Sequence, residues 1–318
     1  MSRSKRMGRA IAGEPRQDAE ERVRRHILGQ LHSHEIDRFE LIRSKDRVWV
    51  FRCSFDGSPT VIKYFEKDDD MREIQNYQLL HRLGIPTMDV LEYAQRCLVL
   101  EDIAESKTWR LGIPDDLRDE QIAGRLAEWY FHFHEKGINI PELPELYCET
   151  DCLTIANLNR LSERDPSLKD ITCYLQNHVG LFQKELAGLV RTLNYNDFYW
   201  TNMLVRKDHT AAMMFDYNYL GQGYRGNDIS NVKSSLSVEA GTAFEDQYDV
   251  LYHEKHGVSR ECERQNEERI TSIVTPLITV ILAYQKPDFP AWGEEARQLV
   301  LNPQYLEHVK SFVDSCDK

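Results

Sequence analysis

The apolar positions change their period several times along the N-terminal part of the chain. From Asp18 to Leu31 they recur at helical spacing, with Val23, Ile27, Leu28 and Leu31 on one face. Asp18 with Glu21 forms a capping-box pattern at the start of that helix. From Phe39 the texture turns to short β-like runs, FELI, RVWVFRC and TVIKYF, separated by the turn-prone SKD and DGSP. Such runs between turn signals predict an antiparallel meander. DDDMREIQNYQLLHRLG then reverts to helical spacing, acidic where the helix dipole favours acid and stopped by Gly84. VLEYA and RCLVLEDI predict two more strands.

After Ile103 the pattern is mostly helical. Gln121–Glu135 carries Ile122, Leu126, Trp129, Tyr130 and Phe133 at helical spacing and meets a stop at Gly137. A long helical pattern follows from Leu168 to Val190, with a break expected at Gly180. A β-island interrupts it: TLNY, then NDFYWTN, MLVR, a KDH turn and AAMMFDY. Helices resume after Asp228. The uncharged run Ile270–Tyr284 holds Thr271, Thr275 and Thr279 and is interrupted by Pro276, which predicts a buried core helix and no membrane span. The outline is an α+β, two-lobed fold: a disordered basic tail over 1–17, a β-rich lobe over 18–103, and a larger helical lobe over 104–318.

Composition narrows the partners. The 318 residues carry a net charge of -12, which argues against nucleic acid, since phosphate backbones demand a basic footprint. An acidic surface suits a cationic small molecule and serves solubility equally well. The seven cysteines are scattered, and the N-terminus lacks the apolar segment of a secretory signal, so reduced thiols and a cytoplasmic location are expected. Cys148 and Cys152 lack a second nearby pair with which to hold zinc. No obligate protein partner is evident.

The charged positions inside this frame suggest phosphoryl transfer. That chemistry needs a lysine on the phosphates, a glutamate to hold it, a carboxylate for the attacking hydroxyl and oxygen ligands for magnesium. Lys63 lies mid-strand in TVIKYF, on the face opposite Ile62 and Tyr64. Glu73 follows on the next helix. Its competitors Asp68, Asp69 and Asp70 have an ordinary role as a helix-start cluster. Asp197 and Asn202 have the D-x-x-x-x-N spacing of a kinase catalytic loop, and the apolar strand AAMMF ends on Asp216. A strand-end carboxylate beside Asn202 makes a hard-metal site.

NYNDFYWTNMLV, followed by MMFDYN and YRGNDIS, resembles the aminoglycoside phosphotransferase and choline kinase family, relatives of the protein kinases. The likeness covers roughly residues 39 to 232. It implies a protein-kinase-like fold, with Asp197 as the catalytic carboxylate and Asn202 and Asp216 as ligands of Mg2+. It also implies that Lys63 and Glu73 serve the phosphates of ATP or GTP, and that Asp228 braces the catalytic loop. GIPTMDVLEY resembles the segment after the glutamate-bearing helix, which favours Glu73 over its acidic neighbours. LVLEDI resembles the strand into the hinge, so backbone groups of Glu101, Asp102 and Ile103 would read the base. LAEWYFHFHEKG places His134 where many members carry a histidine. The implied activity is transfer of a γ-phosphoryl group to the hydroxyl of a small, cationic, aminoglycoside-like acceptor. A choline-, ethanolamine- or sugar-type acceptor is the alternative, and a nucleotide-binding pseudokinase scaffold is an alternative of another class.

Two departures stand out. The family's loop histidine and glycine are replaced by Tyr195 and Asn196. The nucleotide-covering turn RSKDRVW has no glycine, leaving Ser44 and Lys45, with Asp46 and Arg47, to cradle phosphates through backbone N–H groups and charge.

Overall fold

The structure is a computed structural model that describes residues 15–316. The expected tail over 1–17 therefore lies outside the described residues except at its end, where helix α1 (Arg16–Gln30) has already begun. Pro15 precedes α1 without a side-chain cap, so the capping box does not form and Asp18 sits within the first turn. The buried stripe of α1 is Ala19, Val23 and Ile27, continued by Leu31, at i, i+4 spacing. Leu28 lies one step off that stripe and is exposed.

The meander forms as its alternation requires. Strands β1 (Ile36–Lys45), β2 (Val48–Phe55) and β3 (Ser58–Phe65) are followed by helix α2 (Arg72–Leu83) and strands β4 (Val90–Tyr93) and β5 (Cys97–Glu101). All pairs are antiparallel, in the order β1-β2-β3-β5-β4. Trp49, Phe51, Cys53 and Phe55 of β2, with Ile62 and Tyr64 of β3, pack against α1 in one apolar cluster. Lys63 therefore leaves β3 on the other face. Gly84 ends α2 in the left-handed region (φ 68°), which only glycine adopts without a Cβ penalty.

Strand β6 (Trp109–Leu111) and helix α3 (Glu120–Gly137) come next, then β7 (Tyr147–Cys148), α4 (Ile155–Arg164), α5 (Lys169–Gln176) and α6 (Val179–Ala187). The helical pattern from Leu168 thus breaks at Asn177 and His178, and Gly180 lies inside the first turn of α6. Then follow β8 (Thr192–Asn194), β9 (Met203–Arg206), β10 (Ala212–Met214) and β11 (Gly221–Gly223). The chain ends with α7 (Arg225–Lys233), α8 (Val238–His256), α9 (Glu261–Tyr284), α10 (Glu294–Leu301) and α11 (Pro303–Cys316). The Ile270–Tyr284 run is the C-terminal part of α9 and buries Ile273, Val274, Leu277 and Ile281 in the helical core. Among the described residues no helix is long and apolar enough to cross a membrane.

The β-island is two sheets. β9 and β10 form a hairpin that β6 extends, whereas β8 pairs with β11, which pairs with β7. By compactness the chain forms two units. Among the described residues the first comprises 15–132, 197–220 and 233–247, and the second 133–196, 221–232 and 248–316. The change of texture at residue 103 falls within the first unit, because β6 pairs with β9.

Candidate active site

The first unit brings Lys63, Glu73 and Asp216 together. Lys63 Nζ lies 2.5 Å from Glu73 Oε2 and 2.9 Å from Asp216 Oδ1. Glu73 is 1% exposed, whereas Asp68 and Asp69 point to solvent. Burial works to lower the Lys63 ammonium, but Glu73 and Asp216 outweigh it and hold the group above its ordinary value. Burial pushes the Glu73 carboxyl up, to about 7, against the pull of Lys63.

Helix α2 is tied to the chain just past Asp216. Asn76 Nδ2 donates to the Tyr217 carbonyl at 2.7 Å, and Arg72 Nε donates to Asn218 Oδ1 at 3.1 Å. Tyr77 packs edge-on to Tyr217, with ring centroids 4.8 Å apart. Glu73, Asn76, Tyr77 and Leu80 share one buried stripe. A polar Asn on an apolar stripe was the legible sign of Asn76, which sequence reasoning passed over. Asp216 itself is left-handed (φ 64°), a conformation that costs a non-glycine residue energy and concentrates at functional sites.

The β9–β10 hairpin delivers Asn202 to the same place, since Phe215 N–H donates to the Asn202 carbonyl at 2.9 Å. Asn202 Nδ2 donates to Asp197 Oδ2 at 3.1 Å and to the Asp197 carbonyl at 3.2 Å. Burial and the nearby Asp216 carboxylate raise the Asp197 carboxyl, against Asn202, Lys45 and Lys63. The donor set of Asn202 and Asp216 is a carboxamide and a carboxylate, hard oxygen ligands of the kind Mg2+ takes, and Asp216 already faces a cation in Lys63. Gly112, absent from the sequence-derived set, closes the loop from the side. Its N–H donates to the Met203 carbonyl at 2.7 Å, and a Cβ there would stand 2.3 Å from the Trp200 carbonyl oxygen.

The remaining candidates of the first unit lie on its strands and turns. Ser44 and Lys45 pair with Trp49 and Val48, and the turn between them holds Asp46 and Arg47 at φ 54° and 70°. Two successive left-handed residues make a type I′ turn, built here without the usual glycine or asparagine. The Asp102 carboxylate accepts from Arg52 Nε at 2.5 Å and from the Ala104 N–H at 3.1 Å. That side chain is committed locally.

In the second unit Asp228 is 2% exposed and lies in the first turn of α7. Its Oδ2 accepts the Tyr195 N–H at 2.8 Å and its Oδ1 the Asn196 N–H at 3.2 Å. These are the two residues that precede Asp197. Tyr195 is fully buried, and Asn196 is left-handed (φ 64°).

A Plasmodium vivax ethanolamine kinase superposes with a TM-score of 0.57 at 13% identity, covering 94% of this chain and 98% of its own. The fold is that of small-molecule phosphotransferases. LicA in complex with AMP gives a TM-score of 0.56 at 15% identity, covering 92% of this chain and 98% of its own. The GDP and kanamycin complex of APH(2")-IIia gives 0.55 at 14% identity, covering 86% and 95%. No family model and no curated sequence matches the chain.

Proposed function

We propose that this protein is a small-molecule kinase that transfers the γ-phosphoryl group of ATP or GTP to a substrate hydroxyl. The observation that carries it is the convergence of Lys63 on Glu73 and Asp216, at 2.5 and 2.9 Å, in the compact unit that also holds the Asp197–Asn202 pair. A scaffold needs no such set. In this reading Lys63 neutralises the nucleotide phosphates, and Glu73 fixes the ammonium between strand and helix. Asp197 orients the acceptor hydroxyl and takes its proton as the oxygen–phosphorus bond forms and the bond to the nucleoside diphosphate breaks. Its raised carboxyl makes it the better proton acceptor. Asn202 and Asp216 would hold Mg2+, which supplies charge neutralisation on the phosphate chain when bound.

The acceptor is a small hydroxylated cation, consistent with the net charge of -12. An aminoglycoside-like polyamine is the first candidate, and the kanamycin-bound relative of the fold supports it. An amino alcohol of the choline or ethanolamine type is the second, supported by the ethanolamine kinase.

The test is incubation with Mg2+, ATP or GTP and a panel of aminoglycosides, amino alcohols and sugars, with added phosphate detected by mass. Asp197→Ala is expected to lower turnover by about 10²–10⁴-fold while nucleotide still raises the melting temperature. Nucleotide binding with no product across the panel would overturn the kinase reading in favour of a scaffold.

A further inference from the structure

Four buried polar side chains of the second unit form one row that ends on the backbone of Tyr195 and Asn196. Arg225 Nη1 donates to the Tyr248 hydroxyl at 3.2 Å. That hydroxyl lies 2.7 Å from His134 Nδ1, and His134 Nε2 lies 3.2 Å from Asp228 Oδ2. Asp228 in turn holds the Tyr195 and Asn196 amides. Arg225, Tyr248, His134 and Asp228 are all at most 2% exposed. At the far end Arg225 is fixed by Glu135 and Glu263, at 2.7 and 2.9 Å.

Each link in the row has one direction. A carboxylate already engaged by two amides accepts only, so His134 carries a hydrogen on Nε2. Burial holds the imidazole below its ordinary value and keeps it neutral, although Asp228 pulls the other way. A neutral ring protonated at Nε2 presents a bare Nδ1, which accepts from the Tyr248 hydroxyl. The Tyr248 oxygen is then the acceptor for Arg225, and a guanidinium can only donate. All four groups agree on one arrangement.

We propose that Tyr248 is a positioning residue that holds His134 in its Nε2–H tautomer, through which Asp228 grips the two amides leading into Asp197. Without the tyrosine hydroxyl, Nδ1 of His134 loses its donor and the ring is held at one end alone, by Asp228. The ring is then free to tilt off the carboxylate, whose grip on Tyr195 and Asn196 would loosen as its own donor moves. The effect on turnover rests on the kinase reading; the tautomer and the amide contacts do not.

The experiment uses full-length protein labelled with 15N at histidine and at the backbone. The His134 signals are identified by their loss in His134→Gln. Wild type is expected to show His134 neutral with the Nε2–H signature at neutral pH. Tyr248→Phe is expected to change that signature, to shift the Tyr195 and Asn196 amide resonances, and to lower kcat about tenfold with nucleotide KM unchanged. A charged or Nδ1–H His134 in the wild type overturns the proposal, and so does a folded Tyr248→Phe that leaves the signature and both amides in place. Should Tyr248→Phe not fold, His134→Gln and His134→Leu decide. Glutamine keeps a donor for Asp228 and should hold both amides near their wild-type positions, whereas leucine should displace them. Equal displacement by the two overturns the proposal. Absence of turnover in the wild type defeats the kinase reading alone, because the resonances still report on the row.

Discussion

Lys63 reaches from β3 to Glu73 on α2 with Nζ 2.5 Å from Oε2, an ion pair whose acidic member is buried. Removing one partner of a buried pair leaves the other charge uncompensated. Asp216 still faces the ammonium, so Glu73→Ala is expected to cost about 3 kcal/mol, the lower end of the range for such losses. Urea melts measure it, and nucleotide-induced stabilisation should fall in parallel. A variant as stable as wild type that binds nucleotide normally would show that Glu73 does not hold Lys63.

The Asp197 carboxyl is lifted by burial and by Asp216, with Asn202 as the donor opposing them. Asn202→Asp keeps an oxygen ligand but replaces that donor with a negative charge. The acid limb of the kcat–pH profile should therefore move to higher pH. An unmoved limb with reduced kcat would mean that a group other than Asp197 titrates there.

Gly112 is placed for close approach. A Cβ would stand 2.3 Å from the Trp200 carbonyl oxygen and 3.1 Å from Met203 Cε, and a backbone oxygen cannot swing aside as a side chain can. Gly112→Ala should push on the turn between Asp197 and Asn202. Turnover is expected to fall by about 10²-fold, as displacements of about 1 Å do, with nucleotide binding largely kept. Steady-state kinetics and thermal shift on one preparation separate the two effects.

Tyr195 contributes its N–H to Asp228 and its ring to the core. A histidine keeps the first and shrinks the second. Tyr195→His should lose about 1–3 kcal/mol of stability yet hold turnover within about tenfold of wild type. A well-folded variant with far lower turnover would give the tyrosine side chain a part in the chemistry.

Glu267 accepts the Gly226 N–H at 2.9 Å, and burial, with the charge of Glu263, pushes its carboxyl up to about 7. The unfolded chain gives up that proton near 4.5 while the folded protein keeps it to about 7. The folded state thus binds more protons between those values, and stability falls as pH rises through the window. Glu267→Gln retains an acceptor for Gly226 but cannot ionise. Its stability relative to wild type should therefore improve from about pH 4.5 to about 7 and stay constant above, as followed by urea melts across pH. A difference independent of pH would place the Glu267 titration outside that window.

Much of the fold was legible because its signals are local. The strands from β1 to β5 announce themselves as short β-like runs between turns, and α2, α3 and the end of α9 by sustained helical spacing. Lys63, Glu73, Asp197, Asn202 and Asp216 could be chosen from order and residue type, and the structure sets Lys63 against Glu73 and Asp216 and Asn202 against Asp197. The strands β6, β7 and β11 were not legible, since two or three residues show no period and no β-like run marks them as TLNY and AAMMFDY mark β8 and β10. The capping box at Asp18 failed because the helix had already begun at Arg16.

By itself the chain's order of residues determined where backbone hydrogen bonds close over short separations, and therefore which faces are apolar and which charged groups stand at element ends. Tertiary structure alone decided which distant groups meet: Gly112 against Trp200, Asn76 on the Tyr217 carbonyl, Tyr248 on His134. The reason is physical. A period of two or 3.6 residues constrains only near neighbours. The partner of a side chain far along the chain is settled by how whole elements pack, and its own flanking residues carry no mark of it.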